Sequence, residues 1–78
     1  MKDYNFKTGD MIIEDIYNTQ LVGLVIDTWD DYQEKKMIRI IWTRNNDGTQ
    51  YSWEYGKGYL EKKIRTNRMK YIPVKEST

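Results

Sequence analysis

This chain of 78 residues contains no Cys and no His, so it has the size of one small domain and offers neither disulfides nor thiolate metal sites. Its formal net charge is +1, and no apolar run approaches the roughly 20 residues that a membrane-spanning helix needs. A disulfide-stapled secreted scaffold and a helical membrane protein are thereby excluded, and a cytoplasmic location fits best.

The first third of the chain predicts two strands. Gly9 and Asp10 form a turn signal before a short strand over residues 11–14, and residues 15–20 read as a polar loop. Residues 21–28 predict the second strand. Gly23 lies within it, which indicates a bulge or a close backbone approach.

The middle of the chain gives the clearest strand. Residues 28–35 predict an acidic hairpin tip, and residues 36–44 predict the third strand. Side chains on a strand alternate between its two faces, so one set of alternate residues faces the core. We place in the core the set Ile38, Ile40 and Trp42, and on the other face the set Arg39, Ile41 and Thr43.

The last part of the chain predicts a turn at residues 45–48, a strand over 49–55, one or two helical turns over 59–64 and a final strand over 69–74. Pro73 has no N–H, so the last strand should end there or lie at an edge. The fourth strand carries Tyr51, Trp53 and Tyr55 on one side, and the burial tendencies of Tyr and Trp favour the core over a surface platform.

Charge is distributed unevenly along the chain. Residues 1–34 carry two Lys against eight acids, a net −6, and residues 35–70 carry ten cations against three acids, a net +7. Cross-strand pairing between early and late strands is the simpler explanation. Pairing of the acidic and basic ends, or of an exposed edge at residues 69–74, would instead produce a homo-oligomer.

Enzymatic chemistry has little support in this composition. The common general base, His, and the thiol nucleophile, Cys, are both absent. Adjacent acids such as Asp30 and Asp31 are usually solvated, and their spacing matches no dedicated metal-binding loop. We therefore expect a binding protein without catalytic residues, cofactor or metal ion.

Two binding surfaces are candidates. The first is the hairpin, where aromatic and acidic side chains together suit a cationic or Pro-rich peptide of a protein partner through cation–π and polyproline contacts. Trp29 could instead fold back over one end of the domain. The predicted partner-binding residues are Trp29, Asp30, Asp31, Tyr32, Tyr17 and Trp53.

The second candidate surface is the basic segment over residues 57–70. Cations interleaved with aromatic side chains can bind a phosphate backbone and stack on bases, so this segment predicts binding of single-stranded or non-specific nucleic acid as the alternative function. A solvated charged face is its simpler explanation. The residues of this surface are Tyr59, Lys62, Lys63, Arg65, Arg68 and Lys70.

The order of these signals resembles small SH3-like β-barrel proteins, and more narrowly the short hypothetical proteins of tailed phages. The resemblance covers residues 9–74, between an N-terminal segment (1–8) and a polar tail (75–78), and rests on Gly9-Asp10, residues 23–26, Ile38 to Trp42 and residues 46–48. It implies one all-β SH3-like barrel of about five strands with a short helical turn, acting as a binding module. An OB-type barrel is the structural rival.

Overall fold

The protein is all-β apart from one helix. The structure, a computed structural model, describes residues 4–75. Its elements are β1 (Met11–Ile16), β2 (Thr19–Asp30), β3 (Lys36–Arg44), β4 (Gln50–Gly56), α1 (Lys57–Arg65) and β5 (Met69–Ile72). The strands pair antiparallel in one sheet of order β4-β3-β2-β1-β5. The predicted all-β class with one short helix is confirmed.

The sheet is open. Strands β4 and β5 form its two edges, and within residues 4–75 they do not pair with each other. Helix α1 connects the two edges and contacts β3, β4 and β5. Closure into a barrel therefore stays a prediction. No helix among the described residues is long and apolar enough to span a bilayer.

The hairpin between β1 and β2 is tighter than expected. The predicted loop over residues 15–20 is wrong, because Ile16 pairs with Thr19 and only Tyr17 and Asn18 lie between the strands. Two-residue hairpins match the right-handed twist of their strands when their turn residues take positive φ. Tyr17 supplies this conformation with φ 55°.

A β-bulge divides strand β2. The register with β3 shifts between Val25 and Asp27, which leaves Ile26 as the additional residue. Before the bulge Val25 lies opposite Ile40, and after it Asp27 lies opposite Arg39. The bulge therefore moves the following odd-numbered residues of β2 to the other face, and β2 continues to Asp30, two residues beyond its predicted end.

The core lies on one face of the sheet, here called the inner face. Ile38, Ile40 and Trp42 are fully buried there, as the alternation predicts. Leu60 of α1 packs against this face, and Phe6 of the N-terminal segment joins the same cluster. The other members of the core are Ile12, Leu21, Val25 and Met69.

Gly23 is required by the packing of Trp42. The two residues lie opposite each other on β2 and β3, both on the inner face. A Cβ at position 23 would lie 2.7 Å from Ile40 Cγ2 and 2.7 Å from Trp42 Cζ3. Because such distances are too short for carbon atoms, the indole can occupy this place only over a glycine. The predicted close approach is confirmed, and the bulge lies three residues further on.

Asp10 joins the two ends of the described chain. Its carboxylate is buried and accepts hydrogen bonds from Lys7 N–H at 2.8 Å, the Tyr71 hydroxyl at 2.6 Å and Val74 N–H at 2.8 Å. A buried carboxylate is tolerated when donors surround it in this way. Asp10 therefore ties the segment before β1 to the segment after β5.

Candidate nucleic-acid interface

One face of helix α1 carries two lysines beside a tyrosine. Tyr59, Lys62, Lys63 and Thr66 follow the spacing of residues that share a helix face. Together with Arg68 they line a cleft of about 340 Å³. The cations lie in the last turn and just beyond it. There they interact favourably with the negative end of the helix dipole. We call this site the basic cleft.

The end of the helix holds Arg68 beside the cleft. Asn67 has φ 61°, and its N–H donates to the Ile64 carbonyl at 3.1 Å. The next N–H, that of Arg68, donates to the Lys63 carbonyl at 2.8 Å. This pattern is a Schellman motif, which ends a helix and reverses the chain. It joins the backbone of Arg68 to that of Lys63, and both side chains line the basic cleft.

Tyr59 is engaged by two neighbours within the cleft. Its ring stacks on that of Tyr55 with centroids 5.6 Å apart and an interplanar angle of 11°. The Lys63 ammonium lies over the same ring, 5.6 Å from the centroid. This cation–π contact orients the ammonium, although half of the Tyr59 side chain remains exposed.

Glu14 brings a negative charge close to the basic cleft. It pairs with Leu21 and with Met69, so it lies on the inner face and is half-buried. Burial raises the pKa of the Glu14 carboxyl, and the positive charge of Lys63 acts in the opposite direction. The sequence shows Glu14 only as one of two adjacent acids, with Asp15, because its approach to Lys63 depends on the pairing of β1 with β5 and on the position of α1.

An aromatic row leads along the edge strand to the basic cleft. Tyr51, Trp53 and Tyr55 lie opposite Trp42, Ile40 and Ile38, so all three belong to the inner face. Trp53 is 64% exposed and Tyr51 is 43% exposed, whereas Tyr55 is half-buried and accepts a hydrogen bond from the Trp42 indole N–H at 2.9 Å. The preference for a core position is therefore wrong for Tyr51 and Trp53, because β4 is an edge strand of the sheet.

Of the six residues predicted to contact nucleic acid, the structure brings four together. Tyr59, Lys62, Lys63 and Arg68 line the basic cleft. Arg65 lies in the last turn of α1 but does not line the cleft, because a step of 100° per residue places it away from Tyr59 and Lys63. Lys70 pairs with Ile13 on the other face of the sheet.

The hairpin residues are engaged mainly within the hairpin itself and with β3. Trp29 pairs with Met37 on the outer face, where the Arg39 guanidinium lies 5.5 Å from the centre of its ring. Asp31 Oδ1 accepts from Gln33 N–H at 2.8 Å and Lys35 N–H at 2.9 Å, which shapes the turn. Asp30 ends β2 and is exposed, and Tyr32 is 92% exposed.

The predicted peptide site is not contiguous. Tyr17 is fully exposed in the β1–β2 turn, at the opposite end of β2 from Asp30 and Tyr32. Trp53 lies on the inner face and Trp29 on the outer face. A cleft of about 390 Å³ at the β4 edge contains Trp53 together with Arg39 and its ion-pair partner Glu54.

The outer face carries an apolar row that the sequence analysis missed. Ile72, Met11, Leu24 and Ile41 lie side by side across four neighbouring strands. The first three of them are between 36% and 43% exposed. Alternate apolar residues on both faces of β1 and β2 were the available signal. The predicted homo-oligomer stays a prediction.

Comparison with known proteins found no family model that matches the sequence, no similar curated protein and no similar solved structure.

Proposed function

We propose that this protein binds single-stranded nucleic acid, with the phosphate backbone held in the basic cleft. The observation that carries the proposal is the convergence of Lys62, Lys63 and Arg68 around one concave site beside exposed aromatic side chains. Cations along a groove with neighbouring aromatic rings form the common arrangement for binding single strands without strong sequence preference.

The charges in the cleft suit a phosphate backbone. Three cations line the cleft, and no acid is among its lining residues in the part of the chain that the structure describes. Each phosphate that a cation neutralises in a single strand contributes about −0.7 to the slope of log affinity against log salt. Three contacts therefore predict a slope near −2, or about a twentyfold loss of affinity between about 50 and 200 mM salt.

The test is a fluorescence-anisotropy titration of a labelled 12-nucleotide poly-dT strand at these two salt concentrations. The double variant Lys63→Gln/Arg68→Gln removes two cations from the cleft and should reduce the slope to about −0.7. Its matched control, Arg65→Gln/Lys70→Gln, removes the same charge from positions outside the cleft. We expect the control to bind nearly as well as the unaltered protein.

Two outcomes contradict this proposal. Equal losses in the two double variants would mean that net charge, rather than the cleft, attracts the strand. Equal affinity for a duplex of the same length would remove the single-strand assignment, since a duplex keeps its bases stacked on one another.

A second candidate function is peptide binding by the hairpin, supported by the 92% exposure of Tyr32 in the same hairpin that carries Trp29, on whose ring Arg39 lies. An exposed tyrosine beside a cation–π pair provides an amphipathic contact surface for a protein partner. Under this hypothesis Tyr32→Ala weakens capture of a peptide selected from a random library, and the cleft double variant does not. Retention of the peptide by Tyr32→Ala contradicts it.

A further inference from the structure

The aromatic residue that the sequence indicates for base stacking is not one that the structure leaves free to stack. Tyr59 is the aromatic residue within the basic segment, but its ring is stacked on Tyr55 and has the Lys63 ammonium over it. A base would have to displace one of these neighbours to stack there. Both faces of the Tyr59 ring are therefore in contact with other side chains.

The free aromatic surface lies on the edge strand β4. Trp53 and Tyr51 are exposed by 64% and 43%, and both lie on the inner face, the face on which Tyr55 leads to the basic cleft. Alternate residues of a strand are about 6.7 Å apart, so the row offers rings at regular intervals along the edge. Its exposure follows from its position on an edge strand of the sheet.

We propose that Trp53 and Tyr51 stack two consecutive bases of a strand whose adjoining phosphates lie in the basic cleft, so that the strand runs along β4 and the whole site takes about four nucleotides. This inference rests on the proposed nucleic-acid function. It assigns base stacking to β4 and the phosphate contacts to the basic cleft beside α1. The continuity of the aromatic row with the cleft through the Tyr55–Tyr59 stack supports one occupant for both.

A cation, ion-paired with an acid, lies near the far end of the aromatic row. Arg44 is the next residue along β3 that shares the inner face with Trp42. Trp42 in turn lies opposite Tyr51 of β4. Arg44 also lies 3.8 Å from Asp47, whose carboxylate accepts the Thr49 N–H at 2.9 Å. One cation therefore stands at the end of the row that is remote from the basic cleft.

The experiment compares strands with and without bases. An eight-nucleotide poly-dT strand and an abasic sugar-phosphate strand of the same length are titrated against the protein at about 50 mM salt, where phosphate contacts are strongest. We expect the strand with bases to bind about tenfold more tightly. Trp53→Ala should reduce this difference and leave the affinity for the abasic strand unchanged, and the double variant Tyr51→Ala/Trp53→Ala should abolish it. Trp53→Phe should retain most of the difference.

A series of two, four, six and eight nucleotides measures the size of the site. Affinity should rise steeply up to four nucleotides and then only slowly. A longer oligonucleotide can occupy the site in more positions along its length, but it makes no new contacts. Trp53→Ala should weaken the four-nucleotide strand about tenfold and the two-nucleotide strand less. Circular dichroism of each variant confirms that it is folded.

The possible results separate the two proposals. Salt-sensitive binding of equal strength to the two eight-unit strands keeps the basic cleft and overturns stacking on β4. A Trp53→Ala variant that loses affinity equally for both strands also overturns the stacking assignment. Failure of the unaltered protein to bind either strand overturns the proposed function and this inference together.

Discussion

Trp42 and Trp53 face the same side of the sheet on neighbouring strands, yet one is fully buried and the other is 64% exposed. Trp42 on β3 lies over Gly23 of β2, and its indole N–H donates to the Tyr55 hydroxyl. Trp53 on β4 lies opposite Ile40, and β4 is an edge strand that therefore has a neighbouring strand on one side within residues 4–75. Two tryptophans on the same face of the sheet thus differ in burial because one lies on an inner strand and the other on an edge strand.

This difference divides the inner face into a packed part and an open part. The packed part contains the apolar core, formed by β1, β2 and β3 together with Leu60 of α1 and Met69 of β5. It also contains the hydrogen bonds of Asp10 to Tyr71 and Val74, here called the Asp10 junction. The open part consists of β4 and the exposed face of α1, and it carries the aromatic row and the basic cleft. Changes in the packed part should affect stability, and changes in the open part should affect binding.

The largest effect is expected for Trp42→Ala. Removing a buried tryptophan side chain costs about 3–5 kcal/mol, which equals the whole stability expected for a domain of this size. The variant should therefore be largely unfolded at 25 °C, as measured by far-UV circular dichroism and by the dispersion of its amide NMR spectrum. A cooperative unfolding transition close to that of the unaltered protein would contradict the division of the inner face into a packed part and an open part.

The next effect is expected for Gly23→Ala. The added Cβ would lie 2.7 Å from Ile40 and from Trp42, so these side chains or the strand must shift. Overpacking of this kind costs about 1–3 kcal/mol, measured by urea unfolding. Gly58→Ala is the matched control, because a Cβ at position 58 of α1 meets nothing within 4 Å, and it should be neutral or stabilising by up to about 1 kcal/mol.

The pH dependence of stability that comes from the Tyr71 hydroxyl tests the Asp10 junction. Burial, together with the hydrogen bond to Asp10, raises the pKa of the Tyr71 hydroxyl well above its usual value near 10. The folded state then keeps a proton that the unfolded state loses, so this contribution is complete below about pH 10 and falls as the pH rises further.

Tyr71→Phe should cost about 1 kcal/mol at neutral pH, because it removes one donor from a buried carboxylate. Above about pH 10 the gap between this variant and the unaltered protein should narrow. Urea unfolding at several pH values measures both effects. Tyr32→Phe, at a position that is 92% exposed, is the control and should change neither. A constant gap up to pH 11 would mean that the Tyr71 proton is not held by the fold.

The smallest effect on stability is expected for Trp53→Ala. Surface substitutions usually change the free energy of unfolding by less than about 0.5 kcal/mol, so its urea midpoint should be close to that of the unaltered protein. The comparison with Trp42→Ala is direct, since the chemical change and the sheet face are the same. A loss of several kcal/mol would show that the open part of the inner face belongs to the core.

The basic cleft was partly predictable because much of it is local in sequence. Tyr59, Lys62 and Lys63 share a helix face by their spacing alone. Arg68 joins them through the Schellman motif, in which Asn67 takes the positive φ that Asn tolerates. Lys70 departs from the group because it belongs to a strand whose register with β1 places it on the outer face.

The predicted hairpin site shows the limit of this reasoning. The β-bulge at Ile26 reverses the face of the residues after it and brings Trp29 to Arg39. No glycine or other local signal marks residue 26, since an isoleucine fits a regular strand equally well. The separation of Tyr17 from the hairpin likewise depends on the length of β2, which the predicted polar loop obscured.

The sequence by itself determined the elements whose cause is local: the alternation that gives β3 its observed bounds, the turn at residues 45–48, the helix before β5 and the end of β5 before Pro73. The tertiary structure alone decided the strand order, the bulge, the Asp10 junction and which aromatic rings stay exposed. These features depend on contacts between residues far apart in the chain, and alternation assigns a residue to a face without saying what covers it.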